Sequence, residues 1–349
     1  MIRGVRRVVL DLDGVLTSEE RYWEAAVLTV WELVASPRYL GLGRGFRPDP
    51  PPAQVAGLRR RFLEEGRVLR AVKAGGVNSN WDLAYVLAAF QLAAAGAGPD
   101  WSPEGLAKLG RRWGRGPATG LATRFRKEPT EPLHAYLTRE LDFPCRPGDP
   151  LETWCRGVFQ EWYLGDALFE QTYGRPPSQP GKEGLLRRER LLLSPPEARR
   201  VLEEVARGRV LGIATGRPAL EARRPLEEAG LWELFAPEAV VTHDAVAAAE
   251  AAAGLAPGAL GKPHPYPFLK AFLGRDFPDA QILAGRLDEA AKLGWLAVGD
   301  SPADLVAARR GGFPLVVVGQ GFGNWPPGPP PAAALEDLTG LPQLLECAS

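Results

Sequence analysis

The chain has 349 residues, and its 42 Lys and Arg residues balance 42 Asp and Glu residues, so the formal net charge is zero. A neutral, globular composition gives no support to sequence-independent nucleic-acid binding, which needs a basic surface. Three cysteines cannot form a disulfide framework, and three scattered histidines argue against a His-rich zinc site.

Two apolar segments are too short to export the chain or to cross a bilayer. The apolar run before Asp11 stops far short of the hydrophobic region of a signal peptide. Residues 83–98 are shorter than a membrane span and are interrupted by Gln91, so they predict a buried helix. We therefore expect a cytoplasmic protein with no membrane partner and no nucleic-acid partner.

Five short apolar or β-branched runs, bounded by turn residues, predict β-strands. They cover residues 7–10, 210–214, 240–242, 296–298 and 315–318. Between the later runs lie segments whose apolar residues have helical spacing. Strands that alternate with helices predict a parallel sheet covered on both faces.

A long stretch with helical patterns and no strand signal separates the first predicted strand from the second. The expected fold class is therefore α/β, with a Rossmann-like parallel sheet core and a large inserted α-helical domain. The core is predicted from residues 1–17 and 205–349, and the inserted helical cap from residues 18–204.

The first predicted strand runs into Asp11, Asp13 and Gly14. Side chains alternate along a strand, so the two carboxylates share a side if the strand continues, and a glycine lets the chain turn sharply afterwards. Two carboxylates this close favour a cation between them. An ordinary Asp-Gly turn after a buried strand is the alternative.

The second predicted strand ends at Thr215 and Gly216. A hydroxyl and free N–H groups before a helix suit an oxyanion, because helix N-termini carry partial positive charge. A plain helix N-cap by Thr215 is the alternative.

Two further motifs carry charge. Lys262 lies in a loop between Pro and Gly residues, and on its own it is better explained as an exposed loop lysine. Asp300 ends the fourth predicted strand, and Asp304 lies about one helical turn later, so the pair can share one hard cation. Acidic residues near a helix N-terminus are also a common structural choice.

Together these residues predict a single site. Ligands of an open parallel sheet bind at the carboxyl ends of its strands, where three of the four motifs lie. Four carboxylates there need compensation, which Mg²⁺, Lys262 and a helix N-terminus would supply. The same groups suit a phosphoryl group, and a carboxylate can attack phosphorus as a nucleophile.

In this order, the motifs DLDGVLT, IATGR, GKPHP and GDSPAD resemble those of the haloacid dehalogenase superfamily of phosphohydrolases. The insert resembles the helical cap of phosphoglycolate-phosphatase-like members. The resemblance covers roughly residues 1–17 and 185–345. The cap is longer than the compact four-helix caps common in the family.

The resemblance implies a role for each motif. Asp11 would be the nucleophile that forms an aspartyl-phosphate, and Asp13 the general acid and base. Thr215 and the Gly216 N–H would hold phosphoryl oxygens, and Lys262 would bridge Asp11 and the phosphate.

The resemblance also implies a metal site. Asp11, Asp300 and Asp304 would bind Mg²⁺, Asp304 directly or through water, and Asp13 would bind it through its backbone carbonyl.

Three positions in the insert are candidates for contact with the substrate: Tyr22, Lys73 and Asn80. Lys73 and Asn80 flank a Gly-Gly turn that leads into an apolar helix, where capping by Asn80 or Ser79 is the structural alternative. Residues 123–127 form a basic cluster that is better explained as a solvated face.

The expected function is Mg²⁺-dependent hydrolysis of a phosphate monoester of a small phosphorylated metabolite. A phosphotransferase or phosphomutase shares the same motifs, and a catalytically idle binding protein is the alternative from another class. A dehalogenase or phosphonate hydrolase is disfavoured because Asp13 is present. The sequence leaves the substrate and the oligomeric state open.

Overall fold

The computed structural model describes residues 2–41, 45–94, 119–128, 131–141, 144–287, 289–319 and 325–345. The chain divides into two compact units. An α/β unit comprises residues 1–19 and 189–349, and a helical unit comprises residues 20–188.

The α/β unit contains one six-stranded sheet with the order β3-β2-β1-β4-β5-β6, and every neighbouring pair is parallel. The predicted α/β fold class with a Rossmann-like parallel sheet is thereby confirmed. The strands are β1 Arg7–Leu10, β2 Val210–Ala214, β3 Val240–Val241, β4 Trp295–Gly299, β5 Leu315–Val318 and β6 Ala333–Leu335.

Apolar side chains cover both faces of this sheet, which is why its strands are continuous apolar runs. Along β1, Val8 and Leu10 enter one buried cluster, whereas Val9 enters the cluster on the opposite face. The α-helices of this unit among the described residues are Pro195–Ala206, Ala219–Glu228, His243–Ala252, Tyr266–Leu273, Asp279–Leu283, Glu289–Lys292, Pro302–Gly311 and Leu341–Leu344.

The helical unit has its own hydrophobic core. The helices Glu20–Ala35, Asn80–Ala94 and Pro150–Leu164 pack against one another and supply most of its buried residues. The other α-helices described in this unit are Pro52–Leu63, Arg67–Ala74, Leu121–Arg124, Leu133–Leu141 and Asp166–Tyr173. No described helix of the chain is both long and apolar enough to cross a membrane.

The boundary after the insert differs from the sequence prediction. The predicted insert ran to residue 204, whereas residues 189–204 lie in the α/β unit. Leu191 forms an antiparallel bridge with Thr17. The helix Pro195–Ala206 buries Ala198, Val201, Leu202 and Val205 in the cluster on one face of the sheet. Burial of this stripe against the sheet holds the segment in the α/β unit.

Candidate active site

Asp11 directly follows β1, at the carboxyl edge of the sheet. Its N–H donates to the carbonyl of Val298 on β4, at 2.8 Å. β1 lies between β2 and β4 in the sheet. From β1 the strands β2 and β3 follow on one side, and β4, β5 and β6 follow on the other. Where strand order reverses in this way, a crevice forms at the carboxyl ends of the strands, and Asp11 lies at that point.

Lys262 contacts two carboxylates of different elements. Its Nζ lies 3.0 Å from Oδ1 of Asp11 and 2.9 Å from Oδ1 of Asp304, and its side chain is buried. The ammonium group also lies 4.5 Å from the centre of the Phe268 ring. The alternative of an exposed loop lysine is therefore wrong, because Lys262 is a buried cation between two acids.

The orientation of Asp304 comes from the first turn of the helix Pro302–Gly311. Its Oδ2 accepts hydrogen bonds from the N–H and the hydroxyl of Ser301, at 3.1 and 2.7 Å. The Ser301 hydroxyl in turn accepts from the Asp304 N–H, which completes a capping box. Oδ1 is left for Lys262.

Asp300 completes a group of three carboxylates. Asp11, Asp300 and Asp304 each offer an oxygen atom, and these atoms lie within 4.8 Å of one another. Three carboxylates and one ammonium group leave a net negative charge, and oxygen-only donors suit a hard divalent cation. The donor set therefore fits Mg²⁺.

Burial shifts the pKa values of the central pair. Burial raises the pKa of Asp11 to about 7, while Lys262 opposes the shift and the charges of Asp304 and Asp13 add to it. Burial would lower the pKa of Lys262, but the charges of Asp11 and Asp304 outweigh it and raise this pKa. Since burial and the neighbouring carboxylates disfavour the ionised form of Asp11, additional positive charge beside this residue would stabilise the carboxylate.

Thr215 and Gly216 follow β2 at the same edge of the sheet. The buried Thr215 hydroxyl accepts from the N–H of Arg217 at 3.2 Å. The following helix begins at Ala219, whose N–H donates to Asp244 instead, at 2.6 Å. Thr215 is therefore not the cap of this helix. Gly216 is exposed beside open space.

Asp13 is held by a residue to which sequence reasoning assigned no role. The Arg217 Nε lies 3.1 Å from both carboxylate oxygens of Asp13, and the two residues are 204 positions apart. The only sequence signal is that Arg217 directly follows the Thr-Gly pair. A pairing over this distance becomes visible only when β1 and β2 are placed side by side.

The candidate substrate residues Tyr22, Lys73 and Asn80 all lie in the helical unit. Tyr22 is buried in its core, and its ring stacks on Tyr163 with 4.2 Å between ring centres. Lys73 lies in the last turn of Arg67–Ala74, and Asn80 begins Asn80–Ala94. Contact of these residues with a substrate stays a prediction.

Hydrogen bonds in the helical unit test two alternatives from the sequence, the capping of a helix by Ser79 and the solvated basic face at residues 123–127. Ser79 caps the helix Asn80–Ala94, because its hydroxyl accepts from the Asp82 N–H at 3.3 Å. In the basic cluster, Lys127 is buried, and its Nζ donates to the carbonyls of Gly75 and Glu128 at 2.8 and 3.0 Å. Lys127 is thus satisfied by backbone groups and is not part of a solvated face.

No family model matches the sequence, and no curated protein matches it. Solved structures do match. One X-ray structure from the Northeast Structural Genomics Consortium has a TM-score of 0.70 and 25% identity, and the match covers 97% of this chain and 98% of that chain. The same fold therefore extends through nearly all of both chains.

Two other similar structures carry functional descriptions. Phosphatase Tt82 from Thermococcus thioreducens has a TM-score of 0.47 at 19% identity, covering 96% of this chain and 98% of that chain. A predicted phosphoglycolate phosphatase from Haemophilus somnus has a TM-score of 0.44 at 14% identity, covering 98% of both chains. Further matches include structures described as haloacid dehalogenase-like hydrolases, the superfamily that the four motifs resemble.

Proposed function

We propose that this chain is a Mg²⁺-dependent phosphatase of the haloacid dehalogenase superfamily, which hydrolyses a phosphate monoester of a small metabolite. One observation carries the proposal. Asp11 lies at the reversal point of a parallel sheet, 3.0 Å from a buried ammonium group, and within reach of two further carboxylates. A nucleophile, a fixed cation and a candidate metal site thus occupy one crevice.

Asp11 is the nucleophile in the proposed reaction. One carboxylate oxygen forms a bond to phosphorus while the bond from phosphorus to the leaving oxygen breaks, and an aspartyl-phosphate results. Asp13 protonates the leaving oxygen and afterwards takes a proton from the water that attacks the aspartyl-phosphate. The side chain of Asp13 is 19% exposed, so it is open to a reactant.

The other residues neutralise charge. In the proposed reaction Lys262 contacts a phosphoryl oxygen next to Asp11, and the N–H of the exposed Gly216 and the hydroxyl of Thr215 donate to phosphoryl oxygens at the end of β2. Asp11, Asp300 and Asp304, with the backbone carbonyl of Asp13, would hold Mg²⁺. When bound, Mg²⁺ supplies positive charge that offsets the phosphoryl oxygens and the clustered carboxylates.

The test is phosphate release from an aryl phosphate and from a panel of phosphorylated metabolites. We expect release with Mg²⁺, none with EDTA, and a loss of more than about 10³-fold in Asp11→Asn, because a carboxamide is a poor nucleophile. Asp276→Asn, which changes an exposed aspartate of the same unit, is the matched control and should leave the rate unchanged.

Two results would contradict the proposal. Phosphate release that persists at full rate in Asp11→Asn would show that Asp11 is not the nucleophile. Phosphate release unaffected by EDTA would show that the reaction does not need Mg²⁺. Label from a ³²P-labelled sugar bisphosphate that appears in a second sugar instead of free phosphate would assign the site to a phosphotransferase.

A further inference from the structure

The guanidinium group of Arg217 is enclosed between Asp13 and a second carboxylate, that of Glu189. The Arg217 side chain is 1% exposed. Its Nε lies 3.1 Å from both oxygens of Asp13, and its Nη2 lies 2.5 Å from Oδ1. A contact through two nitrogens fixes the plane of a carboxylate as well as its position.

Arg217 is also anchored without Asp13. Its Nη2 lies 3.0 Å from the Thr17 hydroxyl and 3.3 Å from Oε2 of Glu189, and its Nη1 lies 3.4 Å from the carbonyl of Glu221. The Glu189 side chain is 2% exposed, whereas that of Asp13 is 19% exposed. The guanidinium is therefore fixed on its buried side, and Asp13 lies on its open side.

Glu189 also changes the energetics of the pair. A buried arginine whose only counter-charge was Asp13 would be left uncompensated whenever Asp13 turned toward a reactant, and an unpaired buried charge is costly. Because Glu189 remains in contact with Nη2, Asp13 can turn without leaving the guanidinium unpaired.

We propose that Arg217, anchored by Glu189, is the positioning residue that orients Asp13 toward the leaving group. This inference rests on the proposed function. In the step concerned, the leaving oxygen keeps both electrons of the broken bond to phosphorus and takes the Asp13 proton, while Asp11 forms the new bond. Misplacement of Asp13 therefore slows formation of the aspartyl-phosphate only for substrates whose leaving oxygen needs a proton, whereas the later attack of water on this intermediate is the same for every substrate.

Two substrates separate this role from a merely structural one. The leaving group of p-nitrophenyl phosphate departs as a stable phenolate, whereas that of an alkyl phosphate has to be protonated. In Arg217→Met we expect kcat/KM for the alkyl phosphate, which reports the steps up to departure of the leaving group, to fall about 100-fold. For the aryl phosphate we expect kcat/KM to fall less than about fivefold, because its leaving group departs without a proton.

Three further variants keep the test decisive. Arg199→Met removes a half-exposed arginine that pairs with Glu203 and Glu233 in the same unit, and it should change neither rate. If Arg217→Met does not fold, Arg217→Met/Glu189→Gln removes one charge of each sign and should show the same selectivity. Glu189→Gln alone should slow the alkyl substrate about threefold to tenfold, because the anchor is weakened while the contact with Asp13 remains.

The outcomes are distinguishable. An equal loss of kcat/KM on both substrates, or no loss on either, would overturn the role of Arg217 while leaving the phosphatase intact. A wild-type protein without Asp11-dependent phosphate release would overturn the proposed function, and this inference with it.

Discussion

Gly14 lies where the chain turns away after Asp13. Its φ angle is +72°, which favours glycine, and a Cβ atom at this position would overlap the carboxylate of Asp300. The Asp300 carboxylate therefore lies directly against the backbone of the first motif. Gly14, which the sequence predicts as a turn residue, therefore also leaves the space that the Asp300 carboxylate, a candidate metal ligand, occupies.

Gly4 offers a matched comparison for Gly14. Its φ angle is +71°, but a Cβ atom there would have no neighbour within 4 Å. We expect Gly14→Ala and Gly4→Ala each to lose about 1 kcal/mol of unfolding free energy, because both place an L-residue in the left-handed region. Only Gly14→Ala should also displace Asp300, and titration calorimetry should show Mg²⁺ binding weakened by about tenfold or more. Equal Mg²⁺ affinity in the two variants would contradict the inference that Gly14 leaves the space needed by the Asp300 carboxylate.

At the scale of elements, the buried β-strands could be located from the sequence, whereas side-chain contacts between residues far apart in the chain could not. The strands at residues 7–10, 210–214 and 315–318 have the predicted bounds, because their apolar residues are flanked by turn residues. β6 was missed because Ala333–Leu335 is a short edge strand of partly exposed, mostly alanine residues. Asp11, Thr215 and Asp300 each follow a predicted strand, whereas the position of Lys262 and the partners of Asp13 depend on tertiary contacts.

A buried charge cluster links two helices of the helical unit. Lys182 contacts Glu32 of Glu20–Ala35 at 3.1 Å and Glu161 of Pro150–Leu164 at 2.8 Å, and all three side chains are fully buried. One ammonium group cannot compensate two carboxylates. Burial accordingly raises the pKa of Glu32 to about 7, although Lys182 opposes the shift.

This shift makes stability depend on pH in a defined direction. The folded state binds the Glu32 proton up to about pH 7, whereas the unfolded chain releases it near pH 4.5, so unfolding free energy falls as pH rises between these values. Glu32→Gln removes the titration. We expect similar stability to wild type at pH 5 and a gain on the order of 3 kcal/mol at pH 8, measured by urea denaturation. Glu170→Gln, at an exposed position of the same unit, is the control. A difference from wild type that does not change with pH would contradict the assignment.

At the scale of the whole molecule, the chain builds separate hydrophobic cores. One buried cluster belongs to the helical unit, and two others cover the faces of the sheet. The candidate site residues Asp11, Thr215, Lys262, Asp300 and Asp304 all belong to the α/β unit. The chemistry that the sequence predicts is therefore confined to one unit, although its residues come from both ends of the chain. The preference for a particular substrate is less accessible from the sequence, because the insert has no motif that specifies a ligand.

The two segments that flank the insert are already paired with each other. Thr17 forms an antiparallel bridge with Leu191, and the N–H of Ser18 donates to the carbonyl of Arg190 at 2.9 Å. A short loop can therefore close this ladder as a hairpin, and we expect a chain in which Gly-Ser-Gly-Ser replaces residues 20–188 to fold. Its sheet keeps both covering clusters, so thermal unfolding should be cooperative.

The same shortened chain should retain the metal site, because the three candidate carboxylates and Lys262 are all present in it. We expect a Mg²⁺ dissociation constant within about threefold of that of the full chain, measured by calorimetry, and further binding loss on Asp300→Asn. A cooperative fold without Mg²⁺ binding would show that the helical unit contributes to the metal site. Non-cooperative unfolding would show that the α/β unit depends on the insert for its stability.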